Sequence, residues 1–335
     1  MTSLTSAGQA AGPRLPILAL GVLALCILPF FASGYVLYIT CFVLVNIIAT
    51  VGLNITVGYS GLPSIGHSAF IGVGAYSCAI AYNAGAPLPL AILAAVVSAF
   101  GVGVLFGLPA LRIRGVYLAI ATLAAQYCLY FIFTRWTSVT GGDHGMRTLQ
   151  PEIFGFAFNT DLRLYFMILP FAVLSCIAAA NIFETRVGRA FIAVRERDYA
   201  AQVLGINVVH TKLWGFGLGA AFAGLAGAMM VLFLRAINPD QFTLVQSVFF
   251  LTAVIVGGRG SVVGSILGAT FMTLVPEFLR LSAEIVFEDP SSIAAVLSPA
   301  REFIFGALIV LFLLVDPRGL VGLLKRAGFR LSYRG

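Results

Sequence analysis

Six polar side chains sit within long apolar runs: Asn54, Ser64, His67 and Ser68 in the stretch NITVGYSGLPSIGHSAF, and Thr122 and Gln126 in LAIATLAAQ. Amide, hydroxyl and imidazole groups so placed can lend hydrogen bonds to a polar solute crossing a membrane. Each can equally bond to a neighbouring helix, an interaction worth about 1 kcal/mol. Gly58, Gly61, Pro63 and Gly66 fall in the same stretch. Together they predict a break in the helix, and irregular backbone at membrane depth is tolerated only where it is buried or lines a cavity. A helix restarting near Pro63 would point free N–H groups at an anionic carboxylate. His67 can either exchange a proton or hydrogen-bond the loop. These six residues are the candidate lining of a substrate path.

Other chemistry is excluded by its missing parts. The only lysines are Lys212 and Lys325, neither follows a glycine, and so there is no G-x-x-x-x-G-K-[ST] phosphate loop. No H-E-x-x-H and no G-x-S-x-G occurs. The five cysteines all lie in apolar runs without C-x-x-C spacing, and the three histidines show no ligand-like spacing. A disulfide framework, a metal site and a bound cofactor are therefore not expected. Carboxylates are nearly absent from the apolar runs, Glu277 being the nearest case, which argues against a proton-driven carrier. A sodium-coupled carrier, which can use backbone carbonyls, stays open.

Elements long enough to cross a bilayer must hold these groups. The 335 residues are 60% hydrophobic and only 10% charged, where a soluble domain would be about a quarter charged. Ten apolar runs approach or reach the ~20 residues a span requires: 16–33, 35–53, 63–83, 88–109, 116–134, 163–183, 210–234, 243–257, 262–281 and 301–315. The expected fold is thus all-α, a polytopic membrane protein with about ten transmembrane helices. The net charge of +7 is read as basic cytoplasmic loops and not as a nucleic-acid surface. With the N-terminus in the cytoplasm and the spans alternating, fourteen of the twenty lysines and arginines fall inside, against four of the thirteen acids. Both termini are then cytoplasmic: a tail at 1–15, a transmembrane domain at 16–315 and a basic tail at 316–335. The run after Arg14 also reads as a signal peptide, but the charge asymmetry favours an uncleaved first span.

Three connections stand out. The 135–162 loop, on the external side, carries TGGDHGM; Gly141 and Gly142 permit a tight turn, and Asp143 and His144 offer polar contacts. In the external 282–300 segment, 292–297 could form a short helix lying against the surface. The internal 184–209 loop has helical character, with a charged cluster at Arg195, Glu196, Arg197 and Asp198 and a stop signal at Gly205. Such an amphipathic piece either lies on lipid headgroups or inserts as a knob into a partner's groove. A weak internal echo links Gly58, Gly61 and Gly66 with Gly257, Gly260 and Gly264, each set preceding a span.

Tyr199-Ala200-Ala201, three residues and then Gly205 resemble the Glu-Ala-Ala-x-x-x-Gly signature of ABC-importer coupling loops, with Tyr in place of Glu. In order along the chain, GYSGLPSIGHSAFIGVGAY, RIRGVYLAIATLA, TGGDHGM, GRAFIAVRERDYAAQVLGIN, FAGLAGAMM and VIVGGRGSVVGSILGA resemble permeases of the branched-chain amino-acid ABC importer family, the LivM type. The resemblance runs from about 35 to 320. It implies a multi-pass subunit of the bacterial inner membrane that imports amino acids of branched-chain or related type. It implies a second related permease, two ABC ATPase subunits and a periplasmic substrate-binding protein as partners, with ATP and Mg on the ATPases. Arg189, Arg195, Glu196, Asp198, Ala200, Ala201 and Gly205 would face the ATPase, and Gly141, Gly142, Asp143 and His144 would form an external gate or docking surface. Relatives that carry urea, amides or aromatic acids keep the substrate open, and a stand-alone secondary carrier is the rival class.

Overall fold

A run of twenty residues without a charge, entered by a serine, has both the length and the cap for a membrane helix. Gly34–Leu53 forms it as α1, with the Ser33 side chain accepting from Val36 N–H. In the computed structural model, the described residues are 25–286, apart from Leu28, Arg114 and Phe154, together with 303–304, 306–307, 310–311 and 319–326. The expected spans 16–33 and 301–315 fall largely outside these residues, and 292–297 falls outside them altogether.

The chain continues through α2 (His67–Asn83), α3 (Leu88–Gly107) and α4 (Val116–Arg135). After the 135–162 loop come α5 (Asp161–Glu184), two short helices α6 (Arg186–Glu196) and α7 (Asp198–Val203), and the long α8 (Val208–Leu234). A second group is formed by α9 (Leu244–Gly257), α10 (Val262–Val286) and α11 (Gly319–Arg326). Among the described residues, seven helical stretches are long and apolar enough to cross a membrane: Gly34–Tyr59, Leu88–Leu111, Val116–Arg135, Asp161–Glu184, Val208–Leu234, Pro239–Gly257 and Val262–Ser282. The predicted span at 63–83 is realised as α2, whose seventeen residues pack among the others.

Local signals account for most of the boundaries. Thr160 accepts from Arg163 N–H to open α5, and Asn207 Oδ1 accepts from His210 N–H at 3.0 Å to open α8. A proline stands in the first turn of α3, where its missing N–H costs nothing.

The core lies around α1 and α8, each two-thirds buried, whereas α3, α4 and α10 are only one-third buried. Burial at α8 is reached through small residues. A Cβ on Gly74 of α2 would strike the Gly224 backbone, one on Gly103 of α3 would strike Ala220, and one on Gly52 of α1 would lie 2.8 Å from the Gly219 carbonyl. Three helices therefore approach α8 nearly backbone to backbone, the packing that membrane helices use in place of a hydrophobic driving force.

Among the described residues, four two-residue strands trim one end of the bundle. β1 (Met146–Arg147) pairs antiparallel with β4 (Ala236–Ile237), and β2 (Glu152–Ile153) with β3 (Phe156–Ala157). The first pair fastens the 135–162 loop to the exit of α8. The α6–α7 pair joins the entry of the same helix. With twenty-seven residues rising 1.5 Å each, α8 holds the two loops about 40 Å apart.

Candidate functional site

α1 does not end cleanly at Leu53. Its last turn widens into a π-helix, Asn54–Tyr59, closed by Ser60 N–H donating to the Ile55 carbonyl at 3.0 Å. Leu62 N–H then donates back to the Thr56 carbonyl. Gly61 reverses the chain at φ +66°, a conformation that glycine takes without strain. Single π-turns gather at functional sites. The next helix begins at His67 and not near Pro63, with Gly66 standing before its first turn.

Asn54 is 1% exposed and fully engaged. Its Nδ2 donates to the Ser261 carbonyl at 2.9 Å and to Ser265 Oγ at 2.8 Å, and its Oδ1 accepts from Gly260 N–H at 2.9 Å. The two glycine-rich stretches that echo one another in sequence therefore meet in space. The break after α1 packs on the α9–α10 turn, where Gly258 and Gly260 both have positive φ.

Ser68, Thr122 and Gln126 come together at the start of α2. Gln126 Oε1 accepts from Ala69 N–H at 3.0 Å and lies 3.1 Å from Ser68 Oγ, while Gln126 Nε2 donates to the Phe242 carbonyl at 2.6 Å. Ser247 Oγ accepts from Ser68 N–H at 3.0 Å, and Ser68 Oγ donates to the Thr243 carbonyl at 2.7 Å. Thr122 Oγ1 accepts from Ile65 N–H at 3.0 Å. The N–H groups a solute carboxylate would use are thus held by side chains of α4 and α9 in this conformation. The result is a buried polar knot linking α2, α4 and α9. His67, 2% exposed, donates from Nε2 to the Ala49 carbonyl at 2.8 Å and stands edge-on to Phe250. Ser64 is buried in the loop between Asn54 and His67.

The 184–209 loop is two helices, joined at the extended Arg197. α6 buries Phe191 and Val194, and Gly188 sits against the Phe183 backbone. α7 and the residue after it turn apolar surface outward: Tyr199, Val203 and Leu204 are 78%, 72% and 78% exposed. Arg189, Glu196, Ala200 and Gly205 are exposed with them. Asp198 and Ala201 face the bundle instead. Asp198 pairs with Lys212 of α8 at 2.7 Å, and Ala201 is 1% exposed. Arg195 lies across the surface of the break, its Nη1 donating to the Gly58 carbonyl at 2.8 Å.

In the 135–162 loop, Gly141, Gly142 and Gly145 all have positive φ. Between them Asp143 and His144 are exposed at the tip. Thr140 stiffens the turn below, its one hydroxyl proton shared between the Phe133 and Trp136 carbonyls, each 2.8 Å from Oγ1.

Sequence reasoning missed Ser247, Ser261, Ser265 and Lys212 as partners of the residues it singled out. Thr243 and Ser247 stand four apart at the entrance of α9, a polar spacing visible in the sequence. Nothing in the sequence pairs Asn54 with residues more than two hundred positions away. Among the described residues, no three His, Cys, Asp or Glu side chains gather as a metal site.

A bundle of apolar spans, broken at depth and fitted with a helical handle at one end, defines a multi-pass membrane protein of the transport class. The chain belongs to the family described as branched-chain amino acid transport system, permease component, whose model matches residues 35–313. It is 32% identical to the high-affinity branched-chain amino acid transport system permease protein LivM of Escherichia coli (strain K12), covering 94% of this chain and 76% of that one. It is 25% identical to a probable LivM protein of Methanocaldococcus jannaschii, over 82% of this chain and 89% of that one. The autoinducer 2 import system permease protein LsrC of Salmonella paratyphi B is 25% identical, over 75% of this chain and 70% of that one. No solved structure matches.

Proposed function

We propose that this chain is the membrane subunit of an ATP-driven importer for amino acids of branched-chain or related type, in the bacterial inner membrane. It works with a second related permease, two ABC ATPase subunits below and a periplasmic substrate-binding protein above. ATP and Mg bind the ATPases. The α6–α7 handle is the coupling element, and the 135–162 loop meets the binding protein on the opposite side. Both termini and the handle face the cytoplasm.

The observation that carries this reading is the handle itself. Tyr199, Val203 and Leu204 form an apolar knob of 72–78% exposure at the end of α8. An exposed apolar cluster on a short helix that is anchored behind by a buried ion pair fits a partner's groove. The family membership and the LivM likeness support amino acids as the cargo. The likeness to a permease named for autoinducer 2 import supports a second reading, the same machinery with another small polar cargo.

Reconstitution tests the proposal. The chain is co-expressed with a candidate partner permease, ATPases and binding protein, and purified by a tag on the ATPase. In vesicles the complex should take up leucine, isoleucine or valine only with ATP. Uptake by this chain alone, driven by an ion gradient, would overturn the reading.

A further inference from the structure

Arg195 stands apart from the charges around it. Its neighbours Glu196 and Arg197 point to water, but its guanidinium reaches back to the bundle, with Nη1 on the Gly58 carbonyl at 2.8 Å and Nη2 on Glu196 at 3.0 Å. Gly58 lies inside the π-turn, where Leu62 N–H has gone to Thr56 in place of the regular helical acceptor. The guanidinium supplies a donor at the end of α1, where the carbonyl ends of the helix favour a cation. Space has been kept for it. A Cβ on Gly61 would press into the Arg195 stem, and one on Gly260 would lie 3.4 Å from Nη1. Gly260 is the same residue whose N–H is held by Asn54. One side chain of the handle thus bonds to the break after α1 and lies beside the turn between α9 and α10. Seven residues past Gly61 along the chain, Ser68 enters the polar knot with Gln126 and Ser247.

We propose that Arg195 is a strut that carries displacement of the handle to the broken helix, and through it to the knot joining α2, α4 and α9. It is a positioning residue and not an ATPase contact. The proposal deepens the transport reading above and rests on it. In place of a handle that only docks, it names the contact through which docking is felt in the bundle.

The test compares the wild-type complex with Arg195→Ala and Arg195→Lys, in vesicles with ATPases and binding protein. Three quantities are read: ATPase co-purified, ATP hydrolysed and substrate taken up. For Arg195→Ala the ATPase should co-purify in wild-type amounts and hydrolyse ATP, while uptake per ATP falls on the order of tenfold. Arg195→Lys keeps a donor and a charge and should recover part of the ratio. An unchanged ratio in Arg195→Ala would overturn the strut, as would loss of ATPase from the complex, which would make Arg195 a docking contact. Absence of ATP-driven uptake by the wild type would instead sink the transport reading, leaving the comparison of variants to co-purification alone.

Discussion

Lys212 Nζ lies 2.7 Å from Asp198 Oδ2, tying α7 to the second turn of α8 where the two side chains are only 6% and 14% exposed. The pair fixes the handle on the bundle. Removing one member strands the other charge, a loss of about 3–5 kcal/mol. Lys212→Met alone should therefore lower the melting temperature of the detergent-solubilised protein, and Asp198→Leu added to it should restore most of the loss. A single Lys212→Met that melts with the wild type would show that the pair does not hold the handle.

The knob predicts a different kind of defect. Leu204→Asp or Tyr199→Ala should leave the melting temperature unchanged, because both side chains are 78% exposed. A minority of interface residues, Tyr prominent among them, cost more than about 1 kcal/mol when truncated, and a charge placed in an apolar contact opposes docking as well. Co-purification of ATPase should fall several-fold for either variant. Wild-type recovery of the ATPase would move the docking surface elsewhere.

The polar knot can be taken apart in steps. Ser247→Ala removes one cap from the start of α2 and should cost about 1 kcal/mol. Gln126→Leu strands Ala69 N–H and the Phe242 carbonyl and should cost about 2–3 kcal/mol. Unfolding in graded denaturant reads both. Equal losses would mean that Gln126 is not the centre of the network.

Sidedness is open to labelling. In a background with the exposed Cys128 replaced by Ser, a cysteine at Asp143 should react with an impermeant maleimide on intact cells. A cysteine at Arg197 should react only after permeabilisation. The two sites flank opposite ends of α8, so labelling from the same side would contradict the fold as well as the topology.

Close helix contact gives a further check on the bundle. Gly74→Val puts atoms into the Gly224 backbone, which cannot move aside as a side chain would. Overpacking of this kind costs about 3 kcal/mol, and little folded protein should reach the membrane. Gly101→Val, at a position with open space around it, serves as the control.

Hydropathy made the spans legible because a bilayer demands length and apolarity in one continuous stretch. The helices at Gly34–Leu53, Leu88–Gly107 and Val116–Arg135 begin and end within a few residues of the runs read from sequence. The glycines and proline at 58–66 also announced a break. What the sequence could not reveal is who satisfies it. Asn54 bonds to Gly260 and Ser265, and Ser68 to Ser247, through contacts fixed only when the whole bundle closes. Charge was the most misleading cue. Arg195, Glu196, Arg197 and Asp198 read as one charged cluster, yet Arg195 and Asp198 bond back to the bundle while Glu196 and Arg197 stay on the surface. The difference lies in an acceptor carbonyl at Gly58 and a lysine at 212, neither predictable from helical spacing within the loop.

The seventeen residues of α2 span about 25 Å, a few ångströms less than the ~30 Å hydrocarbon thickness of an ordinary bilayer. Its neighbour α8 exceeds that thickness by roughly 10 Å. The short helix therefore cannot reach both surfaces, and its capped end is submerged beside neighbours that pass it. Hydrophobic mismatch costs a fraction of a kcal/mol per ångström. A bilayer of longer acyl chains would load that deficit onto the loop between Asn54 and His67, making lipid length a variable of the permease's working cycle.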